Sequence, residues 1–228
     1  MLSRFFASRN LICDDGVVHI SQFLENPTEY LSWKEVERCL TRDDLYWELI
    51  NKDGNKKHLD QYRPYWSPVP CQDKNTIYEH IQGGESFVIT GYSKMNRKTQ
   101  DLCIEIERSL DVNVDIHVYG SKGTSPSFKT HCDHFSNFII QCVGDTYWKV
   151  YKNKQTSLLK CNNDKPLNYD IMEIEWEGIL KPGDLLYIPD RAYHQALPNK
   201  TRLSMSIPCV PTVLNPEFYD RRNYKIQT

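Results

Sequence analysis

The chain has 228 residues, of which 39% are hydrophobic and 12% aromatic, and a formal net charge of −2. This length suits one domain, or one domain with a helical extension, and the apolar content is enough for a packed core, which excludes a disordered chain. The charge gives nucleic-acid binding no general support, although a local groove for tRNA stays open. No apolar run approaches the about 20 residues of a membrane span, so we expect no membrane partner.

The eight cysteines stand at irregular spacings, and none of them forms a CxxC pair. A disulfide framework or a zinc site is one interpretation, but several cysteines lie in apolar stretches such as FIIQCVG. This setting favours reduced, buried thiols. The N-terminus also lacks the apolar core, about 7–15 residues long, of a secretory signal. Both features predict a cytoplasmic protein.

Residues 1–75 predict a helical and loop extension that packs on the rest of the molecule. In NPTEYLSWKEVERCL the apolar residues recur at helical spacing, and Asn26 and Pro27 are helix start signals. The following stretch, residues 51–72, is rich in Gly, Pro and charge, which indicates a loop.

Residues 76–212 predict a mainly β unit, followed by a tail at 213–228. IYEHIQGG resembles a short helix closed by glycines, SFVITGY a strand, and KTQDLCIEIERSL an amphipathic helix. VNVDIHVYG alternates with period two and predicts one strand, and NFIIQCV, TYWKVYK, LLYIP and RLSMSIP are short, β-rich and separated by turn signals. The pattern is typical of a β-sandwich or barrel with N-terminal helices.

Three residues, His131, Asp133 and His194, form a split set of metal ligands. Two imidazoles and one carboxylate are the usual ligands of a non-haem Fe(II) oxygenase. If KTHCDHF is a strand, the spacing of His131 and Asp133 places both on one face, and Cys132 and His134 point away. An HxD pair also occurs by chance in surface turns, and a histidine after a buried strand is often structural. The combination of both elements is far more specific.

PGDLLYIPxxxxHQA, together with HxDxxxxFxxQxxGxxxWxVY from His131 to Tyr151, resembles the JmjC/cupin oxygenases, especially their ribosomal-oxygenase-like group. The likeness covers roughly residues 75–210. It implies a double-stranded β-helix (jelly roll or cupin) that binds Fe(II), 2-oxoglutarate and O2, with His131, Asp133 and His194 as ligands. Such relatives often carry C-terminal dimerisation and winged-helix parts, which we do not expect in this chain. The oligomer, monomer or dimer, stays open.

The expected cation for the distal carboxylate of 2-oxoglutarate is absent from its usual position. Relatives place Lys or Arg fifteen residues after the first histidine, where this chain has Thr146. Burying an unpaired carboxylate is costly, so another cation should replace it. Arg202 and Ser204 resemble the RxS pattern with which other 2-oxoglutarate oxygenases bind this carboxylate. A surface strand with alternating polar residues would look the same.

Two lysines and one asparagine are further candidates around the co-substrate. Lys149 and Lys129 are alternative cations, although Lys149 has the opposite strand parity to Thr146. Asn137 matches an asparagine that approaches the co-substrate in some JmjC hydroxylases, and we predict it to be a co-substrate contact, as we do Thr146.

These patterns predict a 2-oxoglutarate-dependent dioxygenase that hydroxylates a C–H bond. The retained carboxylate of Asp133 argues against halogenation, which needs a vacant ligand position. The substrate is an amino-acid side chain in a protein or peptide, or a small amino-acid-like biosynthetic intermediate. Two alternatives remain: a cupin-type metal-binding or structural module without oxygenase activity, and a cupin isomerase or dioxygenase that uses no 2-oxoglutarate.

Overall fold

The structure is a computed structural model that describes residues 16–63, 65, 70–155 and 167–211. The predicted tail at 213–228 lies outside these residues. Three α-helices occur in the described part, together with 3-10 turns at Pro27–Glu29, Tyr92–Lys94 and Tyr169–Ile171. The helices are α1 (Trp33–Cys39), α2 (Lys74–Gln82) and α3 (Arg97–Leu110). None of these helices is long and apolar enough to cross a membrane.

Strands make up most of the regular structure, which confirms the predicted mainly β class with N-terminal helices. They are β1 (Val18–Ile20), β2 (Tyr46–Ile50), β3 (Lys56–Lys57), β4 (Gln61–Tyr62), β5 (Cys71–Gln72), β6 (Ser86–Thr90), β7 (Val112–Val114), β8 (His117–Ser121), β9 (Ser136–Val143), β10 (Thr146–Lys154), β11 (Ile174–Leu180), β12 (Leu185–Ile188), β13 (Ala192–Pro198) and β14 (Arg202–Pro211).

The strands build two main sheets. Among the described residues the larger sheet has the order β1-β12-β9-β14-β8-β6-β2-β3, with β7 also paired to β14, and the smaller sheet has the order β11-β10-β13. A separate hairpin joins β4 and β5. From β9 onwards the chain passes repeatedly between the two sheets, which is the winding of a double-stranded β-helix. The predicted jelly-roll architecture is therefore confirmed.

Alternate residues of the larger sheet face two different environments. On β14, Leu203, Met205 and Ile207 join the large core cluster that also contains apolar residues of the three helices. The residues that alternate with them, Arg202, Ser204 and Ser206, point to the opposite face. Here a second cluster, with members such as Trp148 and Leu186, packs the two sheets together. The helices thus cover one face of the larger sheet, and the other face is available for a site.

The N-terminal third is more than a helical and loop extension. Strand β1 pairs with β12 and strand β2 pairs with β6, so both belong to the larger sheet. The loop at 51–72 also contains the short strands β3 to β5. We correct the predicted character for the described residues 16–63, 65 and 70–75, while the boundary at residue 75 stays a prediction. Strands β1 and β3 to β5 were missed because each has only two or three residues, too few to show a clear period. Strand β2 was overlooked although it is as long as β6.

Two other elements differ from the sequence prediction. The helix expected from Asn26 begins at Trp33, since the Ser32 hydroxyl accepts the Glu35 N–H at 3.4 Å and caps it. VNVDIHVYG forms two strands, β7 and β8. The break lies at Asp115, whose carboxylate accepts the Gly91 N–H at 3.0 Å and the Ser93 hydroxyl at 2.6 Å. These hydrogen bonds fix Asp115 in the gap between β7 and β8, where the chain is not part of a strand.

The predictions for α2, α3, β6, β9, β10, β12 and β14 are confirmed in type and place. Six cysteines lie in the described part, at positions 39, 71, 103, 132, 142 and 209, and all are reduced and buried. The predicted thiol state therefore holds for these six.

Candidate metal and co-substrate site

A single β-bridge joins the two halves of the split ligand set. The His131 N–H donates to the His194 carbonyl at 3.1 Å, and the His194 N–H donates to the His131 carbonyl at 2.8 Å. The Arg191 N–H also donates to the Asp133 carbonyl at 2.9 Å. His194 belongs to β13, but residues 132–135 are not part of a strand. The backbone bridge therefore brings together two residues, His131 and His194, that are 63 positions apart.

The three predicted ligand side chains converge in space. The His131 Nε2 atom is 3.9 Å from Asp133 Oδ1, and the His194 Nε2 atom is 3.6 Å from Asp133 Oδ2. One ligand atom from each residue lies within 4.8 Å of the other two, which is close enough for one metal ion. Cys132 and His134 are not part of this cluster, as strand parity predicted, although the segment is not a regular strand.

Both histidines present the same ring nitrogen to the cluster. His131 Nδ1 donates to the Lys129 carbonyl at 2.8 Å, and His194 Nδ1 donates to the Ala192 carbonyl at 2.9 Å. A carbonyl only accepts, so Nδ1 carries the proton and the Nε2 lone pair of the neutral ring is left for a metal. Burial, followed by the neighbouring His131, lowers the pKa of His194 to about 4. The ring is therefore neutral at physiological pH, as a metal ligand must be.

The Asp133 carboxylate has a hydrogen-bond donor next to the cluster. Asn137, on β9, donates from Nδ2 to Asp133 Oδ2 at 2.8 Å, and its own Oδ1 accepts the Ser206 hydroxyl at 3.3 Å. Asn137 is not among the residues that line the cavity beside the cluster. Asn137 was predicted to contact the co-substrate, but in the structure its side chain is hydrogen-bonded to the ligand Asp133 instead.

A cavity of about 450 Å³, including its mouth, opens beside the three ligands. Phe128 packs edge-on against His131 with 5.4 Å between ring centroids, and Trp148 stacks on His194 at 6.1 Å. The lining residues are Tyr119, Ser127, Phe128, His131, Asp133, Ile139, Trp148, His194, Ala196, Arg202, Ser204 and Ser206.

Arg202 is a buried cation in the wall of this cavity. Its exposed fraction is 1%, and its guanidinium donates to the Ser127 hydroxyl at 2.7 Å and to the Ser204 hydroxyl at 3.4 Å. Within residues 16–63, 65, 70–155 and 167–211 no carboxylate pairs with it, and its Nε has no hydrogen-bond partner. Burial lowers the pKa of Arg202 to about 10, so the group stays charged at neutral pH. Such a charge is costly unless an anion joins it.

The other predicted co-substrate residues lie elsewhere. Thr146 is buried at the start of β10, its hydroxyl has no hydrogen-bond partner, and it does not line the cavity. The Lys149 ammonium lies 5.9 Å from the ring of Tyr147 on the outward face of β10, and the Lys129 side chain is exposed. Of the candidate cations, the structure places Arg202 alone in the cavity wall formed by the described residues.

Several lining residues were not singled out from the sequence. Ser206 and Trp148 could have been, because they share strand parity with Ser204 and with Thr146. Ser127 and Phe128 lie in an irregular segment between β8 and the first ligand, and no periodic pattern marks them. Tyr119, on β8, is a neutral phenol because burial raises its pKa well above the ordinary value.

The family model of the JmjC domain matches residues 91–214, which is more than half of the chain. Two curated relatives are named bifunctional lysine-specific demethylase and histidyl-hydroxylase NO66. The protein from Drosophila persimilis is 30% identical over 180 residues, and the one from Dictyostelium discoideum is 27% identical over 211 residues. The matches cover 78% and 84% of this chain but only 25% and 41% of those proteins. The chain thus spans a quarter to two fifths of their length.

The solved structures with a similar fold include the Escherichia coli ribosomal oxygenase YcfD. One structure is 19% identical with a TM-score of 0.59, and the match covers 88% of this chain and 49% of that one. YcfD in complex with cobalt and 2-oxoglutarate is 20% identical, also with a TM-score of 0.59, and the match covers 93% of this chain and 52% of that one. The likeness shows a shared fold. With the family match over α3 and strands β7 to β14, it shows that the chain belongs to the JmjC domain family.

Proposed function

We propose that this chain is an Fe(II)- and 2-oxoglutarate-dependent dioxygenase that hydroxylates a C–H bond of an amino-acid side chain in a protein or peptide. The cluster of His131, Asp133 and His194 suits Fe(II), because two neutral imidazoles and a carboxylate are the ligands of this class of iron site. Membership of the JmjC domain family supports the same chemistry.

One observation carries the co-substrate assignment: in the described part of the chain, Arg202 is a buried guanidinium without an acidic partner, in the wall of the cavity that contains the metal ligands. A guanidinium offers five N–H donors, and the hydroxyls of Ser127 and Ser204 engage only two of its nitrogens. The remaining donors suit a carboxylate, which arginine binds in a bidentate manner. We assign the distal carboxylate of 2-oxoglutarate to this position.

Each group of residues has a distinct part in the proposed reaction. His131, Asp133 and His194 would hold the metal, and Arg202 with Ser204 would orient the co-substrate towards it. Phe128, Ile139 and Trp148 form apolar walls that exclude water. The chemistry supplied by bound Fe(II) is the reduction of O2 coupled to oxidative decarboxylation: one oxygen atom enters succinate, CO2 leaves, and the other oxygen atom enters the substrate C–H bond.

The names of the relatives support a protein substrate. The NO66 proteins are named histidyl-hydroxylases, and YcfD is named a ribosomal oxygenase. We propose a histidine side chain of a protein or peptide as the first substrate to test, and a small amino-acid-like intermediate as the second. Reduced thiols at the six described cysteines support a cytoplasmic location, which we keep as a proposal.

The position of Arg202 also weighs against an inactive structural module. A module without a ligand would gain stability by replacing an unpaired buried charge with an apolar side chain. Retention of this charge beside three convergent metal ligands favours a binding function for an anion. An enzyme that uses metal without 2-oxoglutarate could bind an anionic substrate at the same guanidinium, and turnover of 2-oxoglutarate to succinate separates the two.

Turnover of 2-oxoglutarate tests the proposal. The full chain is incubated with Fe(II), O2 and 2-oxoglutarate, and succinate is measured by mass spectrometry, with and without a histidine-containing peptide pool scored for the gain of one oxygen atom. We expect succinate from the wild type and none from His131→Ala or Asp133→Ala, since each variant loses a ligand. His134→Ala is the matched control, because it lies beside the cluster and outside it, and it should keep wild-type turnover.

Two results would contradict the proposal. If the wild type neither binds nor consumes 2-oxoglutarate when metal is bound, the enzyme assignment fails. If His131→Ala or Asp133→Ala forms succinate at the wild-type rate, the assignment of the ligands fails.

A further inference from the structure

Of the three ligands, Asp133 has the least local structure to fix its side chain. Its side chain is 44% exposed, and it lies in the segment 132–135, which has no regular secondary structure. His194, in contrast, belongs to strand β13, and the side chain of His131 is held by the Lys129 carbonyl. An exposed aspartate on an irregular segment can adopt several rotamers. Something outside the segment must select the one that faces the two imidazoles.

Asn137 supplies this selection. Its Nδ2 donates to Asp133 Oδ2 at 2.8 Å and also lies 3.4 Å from the Phe135 carbonyl. Asn137 belongs to β9, which lies between β12 and β14 in the larger sheet, and its exposed fraction is only 3%. A residue on the central strand β9 therefore fixes Oδ2 of Asp133, although Asp133 itself lies in an irregular segment.

The orientation of the Asn137 amide is fixed by a second bond. The Ser206 hydroxyl, on the neighbouring strand β14, donates to Asn137 Oδ1 at 3.3 Å. If the amide were turned over, Oδ1 would face the Asp133 carboxylate, and two acceptors would oppose each other. The chain Ser206 to Asn137 to Asp133 thus has a single direction of donation.

We infer that Asn137 is a positioning residue that holds Asp133 in its metal-binding orientation, with Ser206 holding Asn137 in turn. The hydrogen bond from Asn137 uses a lone pair of Asp133 Oδ2 and so favours binding of a metal through one carboxylate oxygen. This leaves neighbouring coordination positions for the co-substrate and O2. The inference rests on the metal-binding part of the proposed function, and it replaces the role of direct co-substrate contact for Asn137.

Metal affinity measured without 2-oxoglutarate separates the two roles. The full chain is titrated with Mn(II) and Co(II) by calorimetry, and the visible spectrum of the Co(II) form reports the coordination. Loss of a hydrogen-bond partner of a ligand typically costs about 10–100-fold in metal affinity, which we expect for Asn137→Ala. For Ser206→Ala we expect a smaller loss of about 3–10-fold, since one neutral hydrogen bond is removed. The affinity of the metal-saturated Asn137→Ala variant for 2-oxoglutarate should change by less than about threefold, because Asn137 does not line the cavity.

Ser136→Ala is the matched control. Ser136 precedes Asn137 on β9, is also buried, and its hydroxyl has no hydrogen-bond partner, so the variant should bind metal as the wild type does. If Asn137→Ala does not fold, Ser206→Ala alone decides, because it leaves Asn137 in place. A Co(II) spectrum that changes in the Asn137 and Ser206 variants, but not in Ser136→Ala, supports the inference.

Three results have different consequences. Wild-type metal affinity and spectrum in both Asn137→Ala and Ser206→Ala would overturn the inference, as would wild-type affinity in Ser206→Ala if Asn137→Ala is unfolded. Unchanged metal binding with weaker 2-oxoglutarate binding would return Asn137 to direct co-substrate contact and also overturn it. A wild type that binds neither Mn(II) nor Co(II) would instead remove the metal site itself, and the proposed function with it.

Discussion

Replacement of Arg202 by methionine should have opposite effects on stability and on co-substrate binding. Arg202 is 1% exposed and has no acidic partner among the described residues, so the ligand-free protein carries a charge that is solvated only by two hydroxyls. Methionine keeps a long, flexible side chain and removes the charge. The substitution therefore separates what the guanidinium does for folding from what it does for binding.

The stability effect follows from the desolvation of the charge. Replacing buried ionic groups by apolar residues of similar volume is often neutral, or stabilising by about 1–4 kcal/mol. In a chain of this size, about 1 kcal/mol shifts the melting temperature by roughly 2–4 °C. We therefore expect ligand-free Arg202→Met to melt at the wild-type temperature or above it.

The binding effect has the opposite sign. Removing one partner of a buried, hydrogen-bonded charge pair costs about 2–5 kcal/mol, which corresponds to a roughly 30- to 4,000-fold weaker affinity for 2-oxoglutarate. For the wild type, ligand at 100 times its Kd stabilises the fold by about 2.7 kcal/mol, or roughly 5–11 °C. At the same concentration, Arg202→Met should gain less than about 1 kcal/mol.

Thermal unfolding of the Mn(II)-loaded protein, with and without 2-oxoglutarate, measures both effects in one assay. Lys149→Met is the matched control, because it removes a cation from the outward face of β10. It should keep the full 2-oxoglutarate shift. The reasoning is refuted if Arg202→Met retains the wild-type shift, or if Lys149→Met loses it.

Three further predictions concern the cation, one ligand and a turn. Thr146→Arg in the Arg202→Met background should recover at least about tenfold in 2-oxoglutarate affinity by calorimetry, since one charge-assisted bond is worth about 1.5–3 kcal/mol. No recovery would contradict the idea that Arg202 replaces a cation at position 146. The pKa of His194 lies below the ordinary 6.5 at about 4, so its stabilising contribution is complete above pH 6.5 and is lost as the pH falls towards 4. Melting temperatures of the metal-free protein should fall over this range, and less steeply in His194→Gln; equal slopes would contradict the assignment. Gly144→Ala should cost at least about 2 kcal/mol more in urea unfolding than Gly91→Ala. Both have positive φ, at 67° and 86°, but only at Gly144 would the new methyl lie 2.0 Å from a backbone carbonyl oxygen. Equal losses would show that the backbone relaxes.

The resemblance to the JmjC/cupin oxygenases supplied the predicted ligands and the pair Arg202 and Ser204, and strand parity placed Ser204 on the same face as Arg202. On β14 the alternation of Arg202, Ser204 and Ser206 with apolar residues reflects a sheet that has helices on one face and a cavity on the other. Period two is a local property of a strand, so it can be read without knowing the partner strands. The same reasoning favoured Arg202 over Lys149, which the structure places on the outward face of β10.

The remaining features depend on contacts between distant parts of the chain. The break of VNVDIHVYG at Asp115 results from hydrogen bonds to Gly91 and Ser93, which lie more than 20 residues earlier. The joining of His131 to His194 results from an isolated bridge that has no periodic signature. The contact of Asn137 with Asp133 is likewise a tertiary feature. Sequence parity placed these residues on one side but could not say which of them touch.

A crystal structure of the protein with Mn(II) and 2-oxoglutarate, from crystals grown without oxygen, tests directly whether the metal and the co-substrate bind in this cavity. We expect electron density for the metal between His131, Asp133 and His194. One carboxylate of 2-oxoglutarate should contact the metal, and the other should bind the guanidinium of Arg202. A distal carboxylate bound by Lys129 or Lys149 instead, or density for 2-oxoglutarate outside this cavity, would contradict the account.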